Sequence, residues 1–292
     1  MLGEIRGEVR FKEPLSFHTS LRIGGPADVF VVPQDVEDIR HALRFADREQ
    51  LPVAVIGAGN NLLVRDRGIR GVVLKLEGAL GRAEFRGEEA VAGAGVSLSA
   101  LIREAAALNL GGLEALVGIP ATVGGALAMN AGSADGTIAD FVSAVYFLHP
   151  DGTLGEFKPR AGGYAERVFH APPGAVIVGC RLQFHRRPFA EIQKDIKARL
   201  KVKKSTQPLA LAAAGWVWKN PPGLEATRLI EKAGLRGKRV NGAEISAKHA
   251  NFIVNRGGAT AADVLAIMEL TRERVRAHAG VTLEGEIRII GE

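Results

Sequence analysis

The stretch Val55-Ile-Gly-Ala-Gly-Asn-Asn-Leu-Leu-Val64 decides how the first part of the chain is read. It continues Leu51–Ile56, an apolar run with the length of a buried strand. Glycine tolerates positive φ and lets backbone N–H groups approach an anion, and successive such groups make a concave nest. The dinucleotide-binding fingerprint needs a third glycine and a following helix. Here Asn60, Asn61, Leu62 and Leu63 follow, then a charged turn. Taken alone, the stretch suits a phosphate cradle or a purely structural turn. A second stretch, Gly118-Ile-Pro-Ala-Thr-Val-Gly-Gly-Ala-Leu-Ala-Met-Asn-Ala-Gly132, holds four Gly, a Pro, a hydroxyl and an Asn among apolar residues. A backbone wrapped around a bulky, partly apolar, partly anionic cofactor needs that mixture. Tightly packed helix contacts are the competing reading.

Outward from these loops the pattern is α+β. Ala27–Pro33 reads as a strand, and residues 35–49 as a helix with Val36, Ile39, Ala42, Leu43 and Ala46 on one face. Val72–Leu76 reads as a further strand. From about residue 82 the order becomes strand, strand, helix, the helix spanning Ser97–Leu110 with Ser97 as N-cap. Phe141–His149 and Thr153–Lys158 form a hairpin turned at Asp151-Gly152. Ala175–Phe184 is a long strand whose Cys180 reads as a small buried apolar residue. A boundary falls near Arg186-Arg187-Pro188. Residues 189–204 then form a basic helix with a thin apolar face of Ile192, Ile196 and Leu200. It is either a solvated connector or a basic wall beside a phosphate site. The last hundred residues read as helices at 225–233 and 260–278, with short strands around 239–246, 251–255 and 286–290.

Composition narrows the class. The 292 residues are 47% apolar and 24% charged, with 36 Gly and one Cys. At about 150 residues per domain, two domains or three small ones are expected. One Cys excludes a disulfide framework and any Cys-cluster metal site, and no metal is expected. The net charge of +6 suits an anionic partner as well as an ordinary mixed surface. Aromatic residues are only 5%, which argues against a stacking platform for nucleic acid. No apolar run approaches the roughly 20 residues that cross a bilayer, and the N-terminus lacks a secretory apolar core. A cytoplasmic protein is expected.

Several motifs then point to one family. His18-Thr-Ser-Leu-Arg-Ile-Gly-Gly-Pro-Ala27, Gly57-Ala-Gly-Asn-Asn-Leu-Leu-Val64 and Gly118-Ile-Pro-Ala-Thr-Val-Gly-Gly125 resemble the flavin-binding half of the UDP-N-acetylenolpyruvoylglucosamine reductase (MurB) family. Trp218-Lys-Asn-Pro221, Leu229–Leu235, Gly242–Asn255 and Glu286–Gly291 resemble its substrate-domain motifs. The matches run in family order over nearly the whole chain. The resemblance implies a bipartite FAD-binding unit, of the vanillyl-alcohol-oxidase-like kind, followed by a C-terminal α+β substrate domain. On that reading residues 1–80 and 81–187 are the two FAD-binding subdomains and 188–292 bind substrate.

The implied reaction has two halves. NADPH reduces a non-covalently held FAD, and hydride then passes to the enolpyruvyl β-carbon of a UDP-sugar while a proton is added at the α-carbon. The product is a peptidoglycan precursor. Implied flavin-binding residues are Ile56, Gly57, Ala58, Gly59, Asn60, Asn61 and Leu62. The second loop adds Gly118, Ile119, Pro120, Thr122, Gly124, Gly125, Asn130, Ala131 and Gly132, and Ile177 lies on a strand. Glu286 takes the place of the family's C-terminal glutamate as acid or enolate contact; a rim salt bridge is its structural alternative. Lys219 and Asn220 would face the sugar diphosphate, with a plain surface lysine as the alternative for Lys219. Lys203 sits five residues before Pro208, where the family usually has an Arg, and it loses bidentate geometry. Tyr164 and His249 are implied substrate contacts, although each could serve packing or a turn instead.

Two positions depart from the family. Its proton-donating Ser, Cys in some members, aligns with Trp216, whose indole N–H donates a hydrogen bond but is a very poor acid. Its enolate-stabilising Arg follows Gly-Tyr, where this chain has Ala165; Arg167 lies two residues on and is the expected replacement. The chain also resembles the subtype without an extra Tyr-bearing loop. An FAD protein with an altered substrate or little turnover is therefore the alternative to the family reaction. A monomer without nucleic-acid or membrane partners is expected.

Overall fold

A computed structural model describes residues 2–133, 135–158 and 172–292. The chain forms two compact units, each built from separated segments. Unit 1 comprises residues 1–11, 29–58 and 71–202, and unit 2 comprises 12–28, 59–70 and 203–292.

Unit 1 has two cores. In the first, a sheet runs in the order Glu8–Pro14, Pro26–Val32, Ile69–Lys75, Val53–Ile56. Val53–Ile56 pairs in parallel with Ile69–Lys75, which requires the chain to cross over between them. Helix α1 (Val36–Arg48) buries Ile39, Ala42, Leu43 and Ala46 in the same core as Val29, Val31, Val72 and Leu74. Asp38 is buried on this helix and accepts backbone N–H groups of Arg6, Gly7 and Gln34 at 3.0, 2.9 and 2.8 Å. Burial opposes its ionisation, but the three donors outweigh that and hold its carboxyl below the usual range.

The second core lies on an antiparallel sheet ordered Leu154–Phe157, Val142–Leu148, Val176–Gln183, Glu89–Gly93, Ala83–Arg86. The hairpin between Val142–Leu148 and Leu154–Phe157 turns through Gly152 at φ 85°, as the Asp-Gly step predicts. Cys180 is fully buried, and burial pushes its thiol up to about 12. Helix α2 (Leu98–Ala107) buries Leu98, Leu101, Ile102 and Ala105 as expected, but it stops three residues short of Leu110. Asn109 leaves it at φ 58°, and Leu110–Gly111 joins a strand pair. Ser97 occupies the N-cap without a capping bond; its hydroxyl pairs with that of Ser99 at 3.0 Å. Helix α3 (Val123–Ala128) is capped by Thr122, which accepts from Gly125 N–H.

The last division between the two units falls at 202/203. Helix α4 (Phe189–Thr206) buries Ile192 and Ile196 in the second core of unit 1, while Leu200 stays 40% exposed. Of the first 80 residues, 12–28 and 59–70 belong to unit 2.

In unit 2 an antiparallel sheet runs Ala212–Ala213, Ile253–Asn255, Ala243–Ile245, Arg239–Val240. Helices α5 (Ala226–Lys232) and α6 (Ala261–Ala279) bury Ala226, Ile230, Val264 and Ile267 in one core with Leu21, Leu63, Trp218 and Ile253. A strand the sequence reading lacked, Leu62–Val64, pairs in parallel with Arg288–Ile290. Two residues on, Asp66 accepts Ala261 and Ala262 N–H at 2.7 and 3.0 Å, adding to the Thr260–Asp263 capping box of α6. Asp66→Ala takes the acceptor from both N–H donors at that helix N-terminus and is expected to lower stability by about 1–2 kcal/mol. Urea denaturation of wild type and variant checks this; equal midpoints would refute it.

Candidate functional site

In unit 1 the two glycine loops meet. A Cβ on Gly57 would lie 2.5 Å from Thr122 Oγ1, so only glycine fits beside the second loop. Thr122 Oγ1 also accepts Gly125 N–H at 3.2 Å, and Ser97 and Thr122 form a β-bridge. Gly124 packs so tightly that a Cβ would stand 2.8 Å from Ala94 Cβ. Val123 and Gly124 donate to Val96 O and Ala94 O, both at 2.8 Å. The first-turn N–H groups of α3 are thus satisfied within the protein. The close approaches that the glycines of the two loops allow are to protein atoms, Ala94 at Gly124 and Thr122 at Gly57.

Other residues of the second loop also turn inward. Asn130 is 7% exposed at φ 41°, and its Oδ1 accepts Ala139 N–H at 3.3 Å. Ala131 N–H donates to Ala126 O at 2.8 Å, and Gly132 pairs with Thr137. Gly118 adopts φ 74°, and Ile119 N–H donates to Leu116 O. Ile56 is buried, and Ile177 is a partly buried residue packed on both cores.

Unit 2 gathers the remaining candidates around one backbone junction. Gly59 sits at φ 66°, where a Cβ would lie 2.1 Å from His18 O. Ser20 holds the Gly59 carbonyl with its N–H at 3.1 Å and its hydroxyl at 3.2 Å. Asn61 Nδ2 donates to Glu286 O at 3.1 Å, and Arg288 N–H donates to Asn61 O at 3.1 Å. Leu62 opens the parallel strand pair. From the other side, Glu286 N–H donates to Val217 O at 2.8 Å, and Lys219 N–H to Glu284 O at 2.9 Å. Gly215, at φ 63°, lies close enough to Asn60 that a Cβ would be 3.4 Å from Asn60 O. The Asn60-Asn61 turn, the Gly215–Lys219 segment and the Glu284–Glu286 segment therefore converge, with partly buried Glu286 at the junction.

A buried asparagine holds this junction. Asn251, 1% exposed, brackets Trp218: its Oδ1 accepts Trp218 N–H at 2.9 Å and its Nδ2 donates to Trp218 O at 2.8 Å. Asn251 O accepts Val217 N–H at 3.0 Å. Asn251 lies within the Gly242–Asn255 motif, but the sequence does not assign it this role. Its signal was an amide inside the apolar run Ala250–Val254.

The other candidates have local partners. Lys219 pairs with Glu284 at an exposed position. Asn220 Oδ1 accepts Ala226 N–H at 2.9 Å and so caps α5. Lys203 O accepts Gln207 N–H, and the next carbonyl, Lys204 O, takes Lys248 Nζ at 2.6 Å. His249 stacks on Trp216, with ring centroids 5.9 Å apart and planes 29° apart. Burial lowers its pKa, and its Nδ1 accepts Asn251 N–H at 3.3 Å, so the imidazole is neutral near pH 7. Tyr164, Ala165 and Arg167 lie outside the described residues. A separate open depression of about 240 Å³ lies among Pro208–Leu211, Ser246–Lys248 and Arg256, and no expected site residue lines it.

Comparison with known proteins matches these two halves. Residues 27–158 match a family model described as an FAD binding domain. Residues 207–290 match one described as the UDP-N-acetylenolpyruvoylglucosamine reductase C-terminal domain. A UDP-N-acetylenolpyruvoylglucosamine reductase of Geobacter metallireducens is 43% identical, over 99% of this chain and 96% of its own. A relative with that name, numbered 2, from Symbiobacterium thermophilum is 44% identical, over 98% of this chain and 93% of its own. The crystal structure of the reductase from Thermus caldophilus superposes with a TM-score of 0.84 at 38% identity, covering 98% of this chain and all of that one.

Proposed function

This chain belongs to the UDP-N-acetylenolpyruvoylglucosamine reductase family, and from that premise we propose which of its residues carry the reaction. It is an FAD-dependent oxidoreductase that takes electrons from NADPH and converts its enolpyruvyl UDP-sugar to UDP-N-acetylmuramate. Relatives matching nearly the whole chain are all UDP-N-acetylenolpyruvoylglucosamine reductases, which does not favour an altered substrate.

The cofactor fits the residues present. Gly57 and Thr122 bring the two loops side by side with no room for a Cβ, so both can line one proposed cofactor site. Ile56, Gly57, Ala58, Gly118–Pro120, Thr122, Gly124, Gly125 and Ile177 are the residues proposed to hold it. Gly59, Asn60, Asn61 and Leu62 belong to the same proposed set. When bound, FAD supplies hydride transfer between NADPH and the enolpyruvyl group. Asn130, Ala131 and Gly132 shape the second loop through their own backbone bonds.

Glu286 is the proposed acid. Its main chain is fixed from two sides, by Val217 O and by Asn61 Nδ2, and that restraint is the observation that carries the assignment. A carboxyl carried on a main chain restrained this way can reach the substrate α-carbon to deliver a proton. Trp216 cannot take that role, because an indole N–H is not an acid of useful strength. Lys219 is the proposed diphosphate contact. Its pairing with Glu284 is exposed and therefore weakly held, so an anionic substrate can compete for it. Lys203, Asn220, His249 and Tyr164 complete the proposed substrate set, with Arg167 as the second catalytic group. The flavin-binding subdomains are taken as 1–80 and 81–187, less the segments that join unit 2.

Among the described residues no helix is long and apolar enough to cross a membrane. We take the protein to act as a cytoplasmic monomer, a reading supported by reactants that are water-soluble anions. The test is anaerobic. NADPH should bleach the bound flavin, and the enolpyruvyl UDP-sugar should restore its colour at a rate near turnover. Bleaching without restoration by this substrate would overturn the reading.

A further inference from the structure

Trp216 stands where the related pattern carries a hydroxyl, and it is 39% exposed, whereas Trp218 two residues on is 1% exposed. Leaving an indole open to water forgoes burial of one of the largest apolar side chains. Its geometry is nonetheless well supported. His249 stacks on it at 5.9 Å, and Phe252, 6% exposed, meets His249 edge-on at 5.0 Å and 78°. The backbone beneath is held at both sides of Val217, by Asn251 O at 3.0 Å and by the Glu286 N–H at 2.8 Å. Gly215 enters the segment at φ 63° beside Asn60. The indole is therefore the outer ring of a three-ring cluster, stacked on His249 with an accessible surface, one residue before Val217, whose carbonyl accepts the Glu286 N–H. The imidazole behind it accepts Asn251 N–H through Nδ1, so the stack is a neutral aromatic surface.

A rigid, exposed aromatic face backed by other rings suits a flat, electron-poor ring in offset stacking. We propose that Trp216 is a stacking platform for the heteroaromatic ring of an incoming nucleotide. The proposal rests on the function argued above, since both reactants of that function, NADPH and the UDP-sugar, carry such a ring on a diphosphate. A ring parked on Trp216 brings the attached diphosphate and reacting group past the Glu286 junction. It also accounts for an indole at this position without asking it for acid chemistry.

The test is equilibrium dialysis of FAD-loaded protein against UDP and, separately, NADP+, for wild type, Trp216→Phe and Trp216→Ala. Loss of a base–aromatic stack should weaken binding about tenfold in Trp216→Ala, while Trp216→Phe stays within about threefold of wild type. Weakening of UDP alone identifies the uracil as the stacked ring; weakening of NADP+ alone identifies a ring of the reductant. Weakening of both means that the two nucleotides share the platform. If Trp216→Ala loses its flavin, Trp216→Leu replaces it, keeping apolar bulk without a π-face, and the same outcomes apply. Unchanged dissociation constants for both nucleotides, or equal losses in the Phe and Ala variants, overturn the platform. Failure of the wild type to bind either nucleotide would instead overturn the function on which the proposal rests.

Discussion

Glu286→Gln is expected to lower turnover by about 100- to 10,000-fold, the range for removal of a positioned general acid. The substitution keeps the size and shape of the side chain. It also leaves untouched the main-chain bonds to Val217 O and from Asn61 Nδ2, which use the Glu286 backbone. Flavin content and thermal midpoint should therefore stay near wild type. The loss should fall on one half of the reaction: NADPH should still bleach the flavin at the wild-type rate, while reoxidation by the enolpyruvyl UDP-sugar slows. Stopped-flow absorbance resolves the two phases. Reoxidation at the wild-type rate would remove Glu286 from the chemistry and leave it the rim salt bridge its sequence position also allows.

Gly59→Val should abolish flavin binding and destabilise unit 2. Two costs add at this position. The backbone sits at φ 66°, a region that penalises an L side chain by about 1–2 kcal/mol. The added Cβ would lie 2.1 Å from His18 O and 2.8 Å from Thr19 Cα, both on a segment that Ser20 ties to the Gly59 carbonyl. Neither neighbour is the loose end of a side chain, so the backbone has to move, and the Asn60-Asn61 turn moves with it. Gly223→Ala separates the two costs: it has φ 70° but nothing within 4 Å of a built Cβ. The control should lose only about 1 kcal/mol and keep its flavin, while Gly59→Val should purify with less than about a tenth of the wild-type flavin absorbance. A Gly59→Val protein with full flavin content would show that the loop relaxes without loss.

The residues that could be read along the chain were those whose partners are near in sequence. Ile39, Ala42, Leu43 and Ala46 repeat at helical spacing, and they are the buried face of α1. The Asp151-Gly152 step announced its turn because positive φ is a local requirement. Gly57, Gly59 and Gly124 were conspicuous, although what excludes a Cβ at each is a different neighbour: Thr122 Oγ1, His18 O and Ala94 Cβ. Asp38 and Asp66 were silent. Each is a polar residue with nothing unusual beside it in sequence, and each serves backbone groups that only folding brings within reach. Asn251 showed only as an amide in an apolar run, and its partner Trp218 is 33 residues away.

The sequence by itself determined the α+β class, the order of most helices and strands, the two glycine loops and, through the spacing of its motifs, the family. Periodicity, turn chemistry and motif order are properties of neighbours along the chain, so they survive without coordinates. Tertiary structure decided which segments share a core. It moved residues 12–28 and 59–70 into the unit of the C-terminal third and left α4 largely with the N-terminal one. It set Leu62–Val64 beside Arg288–Ile290 and placed Asn61 against the main chain of Glu286, 225 residues away. No local pattern encodes such a pairing. Its stability comes from burying Leu63 and Ile287 in one core and from hydrogen bonds between groups whose separation along the chain is closed only when the whole unit folds.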